Sequence, residues 1–319
     1  MREEVKGILA LVGCCTVWGL SAIYYKMVAH VPPLEVLAHR TLWSVLFFGV
    51  VLALQGRLIE IVRVFRVPRT LAVVGAAGVA ISTNWFFFIF SVQTERAVQA
   101  SLGYYIFPLV AVMLGFVVLG ERLTPFKWAA VALAAAAVTV LTLGLGVAPW
   151  ISLGLAFSFG MYGLIKARVP AGPVVSVTTE VLLLSPVALV WLIGVHQAGW
   201  SGFAAAPGAV FLQDWRDTLL LMCAGPLTGG PLILFSYASK RLTYATVGLV
   251  QYLNPTLQFL VATLVFLEPF TPWHAIAFPL IWAGLALYSA ESIRQERSRS
   301  RAAVRAGTSG TTVMKSRKL

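Results

Sequence analysis

The chain has 319 residues, 59% of them hydrophobic and only 11% charged, with 24 Lys and Arg against 12 Asp and Glu. A soluble domain carries about 25% charged residues, so this composition excludes an ordinary water-soluble globule and points to a bilayer. A net charge of +12 would suggest nucleic acid in a soluble protein, but Lys and Arg also collect in the cytoplasmic loops of membrane proteins, and no nucleic acid is expected as a partner.

Charge-free runs at 7–25, 70–94, 97–120, 218–239, 242–267 and 269–290 set the class. Each reaches the roughly 18 to 20 residues that span a hydrocarbon core of about 30 Å. In chain order, helices are expected near 6–29, 34–55, 71–94, 97–119, 125–143, 149–168, 173–196, 216–239, 245–267 and 272–293. Pro32-Pro33, Pro68, Thr124-Pro125, the 144–149 stretch, Pro170 with Gly172-Pro173, and Thr271-Pro272 separate them, as helix breakers do. The first run lacks a small-residue cleavage site, and further spans follow it, so it is read as a retained helix. Cys14, Cys15 and Cys223 lie in apolar runs without metal-ligand spacing and are read as small buried hydrophobes.

The basic residues orient the chain. With the N-terminus in the cytoplasm, 20 of the 24 fall in inner loops and the tail, against Arg96 and Arg216 outside and Lys26 and Arg40 within helices. That asymmetry predicts a multi-pass protein of the cytoplasmic (inner) membrane with both termini in the cytoplasm. The stretch 294–319, rich in Arg and Ser, is expected to be a disordered basic tail.

The two halves repeat. Pro108, Glu121 and Pro125 share their spacing with Pro255, Glu268 and Pro272, and the run from Lys26 to Pro33 mirrors that from Lys166 to Pro173. Residues 1–145 and 146–293 are therefore expected to be two five-helix repeats. Five is odd, so the second copy is inverted, and such pairs place a binding site near the midplane.

The motifs Trp18-Gly19, His39-Arg40, Asn84-Trp85, 100–104 (Ala-Ser-Leu-Gly-Tyr), 119–122 (Leu-Gly-Glu-Arg), Gln251-Tyr252 and Pro255 occur in that order. In these the chain resembles the RarD-type permeases of the EamA branch of the drug/metabolite transporter superfamily, over residues 6 to 293. One departure is Phe107 before Pro108, where an Asn matching Asn254-Pro255 is expected. The resemblance implies a ten-helix exporter-like carrier with an enclosed central cavity, and relatives in the wider branch move amino acids and other metabolites.

Ionisable groups inside a membrane need a reason. Arg40 and Glu180 each stand seven residues after a helix-opening proline, about 10 Å inside their helices. Arg40 is a candidate for a substrate carboxylate or an outer gate, and Glu180 for a proton or a partner across the cavity. His39 is a candidate for proton coupling, and Lys26 for a gate. Asn84 and Trp85 fall mid-helix and, with Gln251 of the Gln251-Tyr252 motif, are candidates for substrate binding or gating. Pro108 and Pro255 each free a backbone carbonyl and are read as kinks. Trp18, Tyr104, Tyr105, Tyr162, Tyr237 and Tyr252 are mid-depth aromatics able to stack on a planar substrate. Glu121 and Glu268, at helix ends, are read as structural. The expected membrane interior has no paired acids at helical spacing, and the sequence shows no metal set or nucleotide motif, so the chain is read as a non-enzyme without cofactor or metal.

The expectation is an all-α integral membrane protein that works as a secondary transporter, an exporter by resemblance, moving a small amino-acid-like, anionic or zwitterionic molecule by alternating access. Its partners are a small-molecule substrate and the lipid bilayer, with protons as the candidate coupling ion. A channel or facilitator, or a membrane enzyme acting on lipid-linked substrates, is the alternative.

Overall fold

A computed structural model describes residues 3–202 and 208–315, without the side chains of 244, 245, 296, 297 and 299–315. Among these residues the chain is all helix and turn. α1 covers Glu3–Met27, α2 Pro33–Leu54, α3 Leu58–Phe65, α4 Pro68–Gln93, α5 Ala97–Leu119 and α6 Pro125–Leu145. α7 covers Trp150–Lys166, α8 Pro173–Ala198 and α9 Trp215–Ser239. α10 (Tyr244–Gln251), α11 (Leu253–Leu260) and a π-helical segment (Val261–Val265) follow, then α12 (Pro272–Lys315).

Among the described residues, eight helices are long and apolar enough to cross a membrane, and α7, with 17 residues, is a shorter apolar helix. α10, α11 and the π-helical segment together make one further crossing, giving ten. The expected breaks act as helix starts: Pro33, Pro68, Pro125 and Pro173 each occupy the first helical turn, where a missing N–H costs nothing. The crossings put the α1 start, the α2–α4 link, Arg122, Lys166 and Lys240 on one side, the basic face; Glu95 and Arg216 lie at the opposite face.

The structure differs from the sequence-based elements in three places. The link after α2, with Arg57, Arg63 and Arg66, contains α3, whose Leu58, Ile59 and Val62 are exposed while Arg57 pairs with Glu60 at 2.7 Å; this is the build of an interfacial helix. The crossing expected as one helix over 245–267 is irregular: Pro255 withholds one N–H from the ladder, although Tyr252 between α10 and α11 keeps helical dihedrals, and the crossing ends in a π-turn before Glu268. Finally, where a disordered tail is expected from residue 294, the backbone continues as helix to Lys315; the Glu, Gln, Arg and Ala of 295–306 favour helix, while nothing in the Gly, Ser and Thr run of 307–312 explains the rest. Residues 316–319 lie outside the description.

Packing is built on close contacts of small residues, which replace the hydrophobic effect between helices in lipid. α4 and α5 pack on α7, α1 packs on α9 and α11, α2 packs on α8 and α9, and α6 packs on α12. At Gly103 of α5 a Cβ would stand 2.8 Å from the Ser152 carbonyl oxygen, so only glycine permits that approach. Cys14 and Cys15 are buried as expected, but Cys223 is exposed: an apolar stretch in a membrane faces lipid as readily as the interior.

Candidate functional site

A cavity of about 280 Å³ opens among α1, α2, α4, α5, α7, α8, α9 and the α10–α11 crossing. At its end toward the opposite face sits Arg40, only 7% exposed. One guanidinium nitrogen donates to the Tyr25 hydroxyl at 2.7 Å, and the group lies 4.1 Å from the Trp85 ring centroid. Its Nε is buried without a hydrogen-bond partner, and among the described residues no carboxylate pairs with it.

Beside it, the Asn84 amide donates to the Leu155 carbonyl at 3.0 Å and the Ser158 hydroxyl at 3.2 Å. Its oxygen accepts from Tyr104 at 2.9 Å. Asn84 thus ties α4, α5 and α7 together at the cavity wall, and the partners its amide needs are helices.

Toward the basic face the wall carries Tyr162, Lys166, Pro173 and Val177. Lys166 turns inward onto Glu180, which is fully buried. Glu180 also accepts from Ser176 at 2.9 Å and Tyr162 at 3.3 Å. Glu180 is therefore matched by its own helix pair and does not meet Arg40. Lys166, near the end of α7, is an ion-pair partner rather than a free cation.

Along α10–α11 the cavity meets Gln251, Asn254 and Gln258, and along α1 it meets Cys15, Trp18 and Ser21. The structure thus brings together Trp18, Arg40, Asn84, Trp85, Tyr104, Tyr162 and Gln251 of the residues singled out in sequence, with Glu180 directly behind Lys166. It places the others elsewhere. Lys26 pairs with Glu95 at 3.2 Å at the opposite face. His39 is buried with its ring 4.6 Å from that of Phe211. Tyr105 bonds Thr256 at 2.6 Å and packs edge-on against Phe278 of α12. Tyr237 is partly exposed under the Arg241 guanidinium, and Tyr252 packs on the main apolar cluster.

Sequence reasoning passed over Tyr25, Phe88, Phe159, Lys166 and Gln258 as lining residues. Two had a legible signal. Cys15, Trp18, Tyr25 and Gln251, Asn254, Gln258 fall at helical spacings of three, four or seven residues, which keep side chains on one face. Phe107, the departure from the Asn-Pro pattern, packs on Phe159 at 4.7 Å, whereas Asn254 faces the cavity and accepts from Gln258 at 3.0 Å.

Ten apolar crossings wrapped around a central cavity, with buried charge inside it, define a polytopic membrane transport protein. The profile of the EamA-like transporter family matches residues 5–143. A protein named RarD from Streptomyces exfoliatus is 38% identical over 305 residues, covering 96% of this chain and 94% of that one. An uncharacterized transporter of Vibrio cholerae is 37% identical over 301 residues, covering 94% and 97%. The chain belongs to the EamA-like family of the drug/metabolite transporter superfamily, with the RarD proteins. A crystal structure with 20% sequence identity aligns at a TM-score of 0.54, over 89% of this chain and 97% of that one, and shares the fold.

Proposed function

We propose that this chain is a secondary carrier of the cytoplasmic membrane, with both termini inside, exporting a small anionic or zwitterionic, amino-acid-like or drug-like molecule by alternating access. The observation that carries the reading is Arg40. A buried cation costs several kcal/mol unless an anion meets it, yet this one has an aromatic face, one hydroxyl and an unpartnered Nε. The nearby acid, Glu180, is taken by Lys166. The cavity therefore keeps one net positive charge, and a substrate carboxylate would complete it.

The helix packing supports two inverted repeats, 1–145 and 146–293. Exchange α1, α2, α4, α5 and α6 for α7, α8, α9, α11 and α12, and the contact of α4 with α7 becomes that of α9 with α1. Likewise α5 on α7 becomes α11 on α1, and α2 on α9 becomes α8 on α4. The contacts α2–α8, α5–α11 and α6–α12 map onto themselves. An offset of 140 residues relates Lys26 to Lys166 and Arg40 to Glu180. One copy therefore holds a cation–anion pair where the other holds Lys26, paired with Glu95, and Arg40 with no carboxylate, and the substrate supplies the anion for Arg40.

The test is a thermal-unfolding screen of detergent-purified protein against amino acids, organic acids, aromatic metabolites and amphenicol drugs. A ligand at about 100 times its dissociation constant stabilises by about 2.7 kcal/mol. A carboxylate hit lost in Arg40→Ala supports the reading. Stabilisation by cations alone, or hits indifferent to Arg40, would overturn it.

A further inference from the structure

A single offset of 147 residues relates Pro108 to Pro255 and Glu121 to Glu268. The same offset carries Ala97 and Val98, which open α5, onto Tyr244 and Ala245, which open α10. The two copies are in different arrangements. At the opposite face the buried Glu268 carboxylate accepts from the Ala97 N–H at 2.7 Å and the Val98 N–H at 2.8 Å. It pins the end of the α10–α11 crossing to the start of α5. Lys26, bonded to Glu95 and 5.6 Å from the Phe266 ring centroid, lies across the same junction. At the basic face, Glu121 is exposed and, among the described residues, forms no hydrogen bond or ion pair through its side chain. α10 is capped by its own Thr243, which accepts from the Thr246 N–H at 3.3 Å.

The crossings themselves differ in the same sense. α5 runs unbroken through Pro108 from Ala97 to Leu119. Its counterpart keeps helical dihedrals through Tyr252, between α10 and α11, and departs from the α-helix at the π-helical segment before Glu268. One sequence pattern thus occurs as a regular α-helix and as a helix that ends in a π-turn. The cavity reaches toward the basic face at Lys166, Pro173 and Phe235 and ends at Arg40 and Tyr25 below the pinned junction.

Resting on the inverted-repeat carrier reading, we infer that Glu268 and Glu121 are alternating latches. Here the Glu268 latch holds the opposite face shut while the basic face is open. In the other state Glu121 accepts the first N–H groups of α10, and Glu268 releases those of α5. A carboxylate at a helix N-terminus gains both from charge-assisted hydrogen bonds and from the helix dipole. Each latch acts in one state only, and such differential contact is what biases a two-state equilibrium.

The test uses full-length protein in nanodiscs with Cys223→Ser. Spin labels sit at Thr94 and Pro269 across the opposite face, or at Arg122 and Lys240 across the basic face. Distances are read by pulsed electron resonance, with unlabelled-site background subtracted. Wild type should be short at Thr94–Pro269 and long at Arg122–Lys240. Glu268→Gln should shift the ratio of states at least about tenfold toward the reverse pattern, the effect of losing about one charge-assisted hydrogen bond. Glu268→Asp, which keeps the charge on a shorter arm, should shift it less. Glu121→Gln should remove any population with a short basic-face distance. If monodisperse Glu268→Gln leaves both distances unchanged, or widens one face without narrowing the other, the latch is overturned. A wild type that exchanges between two states indifferent to both glutamates overturns the latch alone. A wild type fixed in one state at every temperature, with both variants fixed alike, overturns the carrier reading too.

Discussion

Arg40 and Trp85 stack in the cavity with 4.1 Å between the guanidinium carbon and the ring centroid, so an aromatic face covers one side of a buried cation while its Nε stays unpartnered. A guanidinium stacks and presents a planar fork of donors, and an ammonium does neither. Arg40→Lys keeps the charge and is expected to weaken anion binding about tenfold, whereas Arg40→Gln should weaken it about a hundredfold or more. These follow from losses of about 1.4 and 3 kcal/mol, within the range of charge-assisted hydrogen bonds. Calorimetric titration with the best ligand of the thermal screen checks both, and equal affinities in Arg40→Lys and wild type would show that the fork and the stacking play no part.

Asn84 gives a prediction about stability. Its amide joins Leu155, Ser158 and Tyr104 across three helices while only 1% exposed. Asn84→Leu leaves the part-buried Tyr104 hydroxyl without its acceptor, at a cost of about 1 kcal/mol. In a Tyr104→Phe background the same change should cost less, since the stranded hydroxyl is gone. Thermal unfolding of the four proteins in one detergent measures the difference. Additive losses would mean that the Tyr104 bond contributes little.

Much of this architecture was legible from the chain. Prolines at 33, 68, 125 and 173 mark helix starts, because the pattern that breaks a helix is the one that opens it. Arg40 stood out because an arginine inside an apolar run has no cheap explanation. The partner of Glu180 was less legible: Lys166 lies near a helix end, where snorkelling and an inward ion pair look alike in sequence. The aromatics were legible as a type but not in direction. Tyr104 and Tyr105 are adjacent, so about 100° of helix rotation separates them, and the first turns to Asn84 while the second turns to Phe278. The π-turn before Glu268 was not legible, because its residues, Val-Ala-Thr-Leu-Val at 261–265, form an apolar run with no Gly or Pro to mark it.

Close packing supplies a further test. A Cβ on Gly103 would fall 2.8 Å from the Ser152 carbonyl oxygen and 2.9 Å from the Leu155 Cβ. Neither neighbour is the free end of a flexible side chain, so α5 and α7 would have to part. Gly103→Val is expected to lower stability by about 3 kcal/mol or prevent folding, at the upper end of overpacking effects. At Gly49 no atom lies within 4 Å of such a Cβ, so Gly49→Val should leave expression and unfolding temperature near wild type. Gel-filtration profiles of the fluorescently tagged variants separate the two. A monodisperse, fully stable Gly103→Val would mean that α5 and α7 have room to move apart.

The Lys166–Glu180 pair separates a structural from an energetic role. Glu180 is fully buried and holds Lys166, Ser176 and Tyr162 together. Removing one partner of a buried pair costs about 3 to 5 kcal/mol, and because Lys166 keeps 21% of its side-chain exposure, a loss of about 2 kcal/mol is expected for Glu180→Gln. Lys166→Met with Glu180→Gln removes both charges and should recover most of that loss. Transport adds the second readout, in proteoliposomes loaded with a ligand from the screen. If Glu180 carries the coupling proton, the double variant should still exchange labelled for unlabelled ligand at equal pH but should no longer accumulate it when a pH gradient is imposed. Retained gradient-driven accumulation in a stable double variant would leave the pair as a structural clamp between α7 and α8, and the proton, if one is used, would have to bind elsewhere in the cavity.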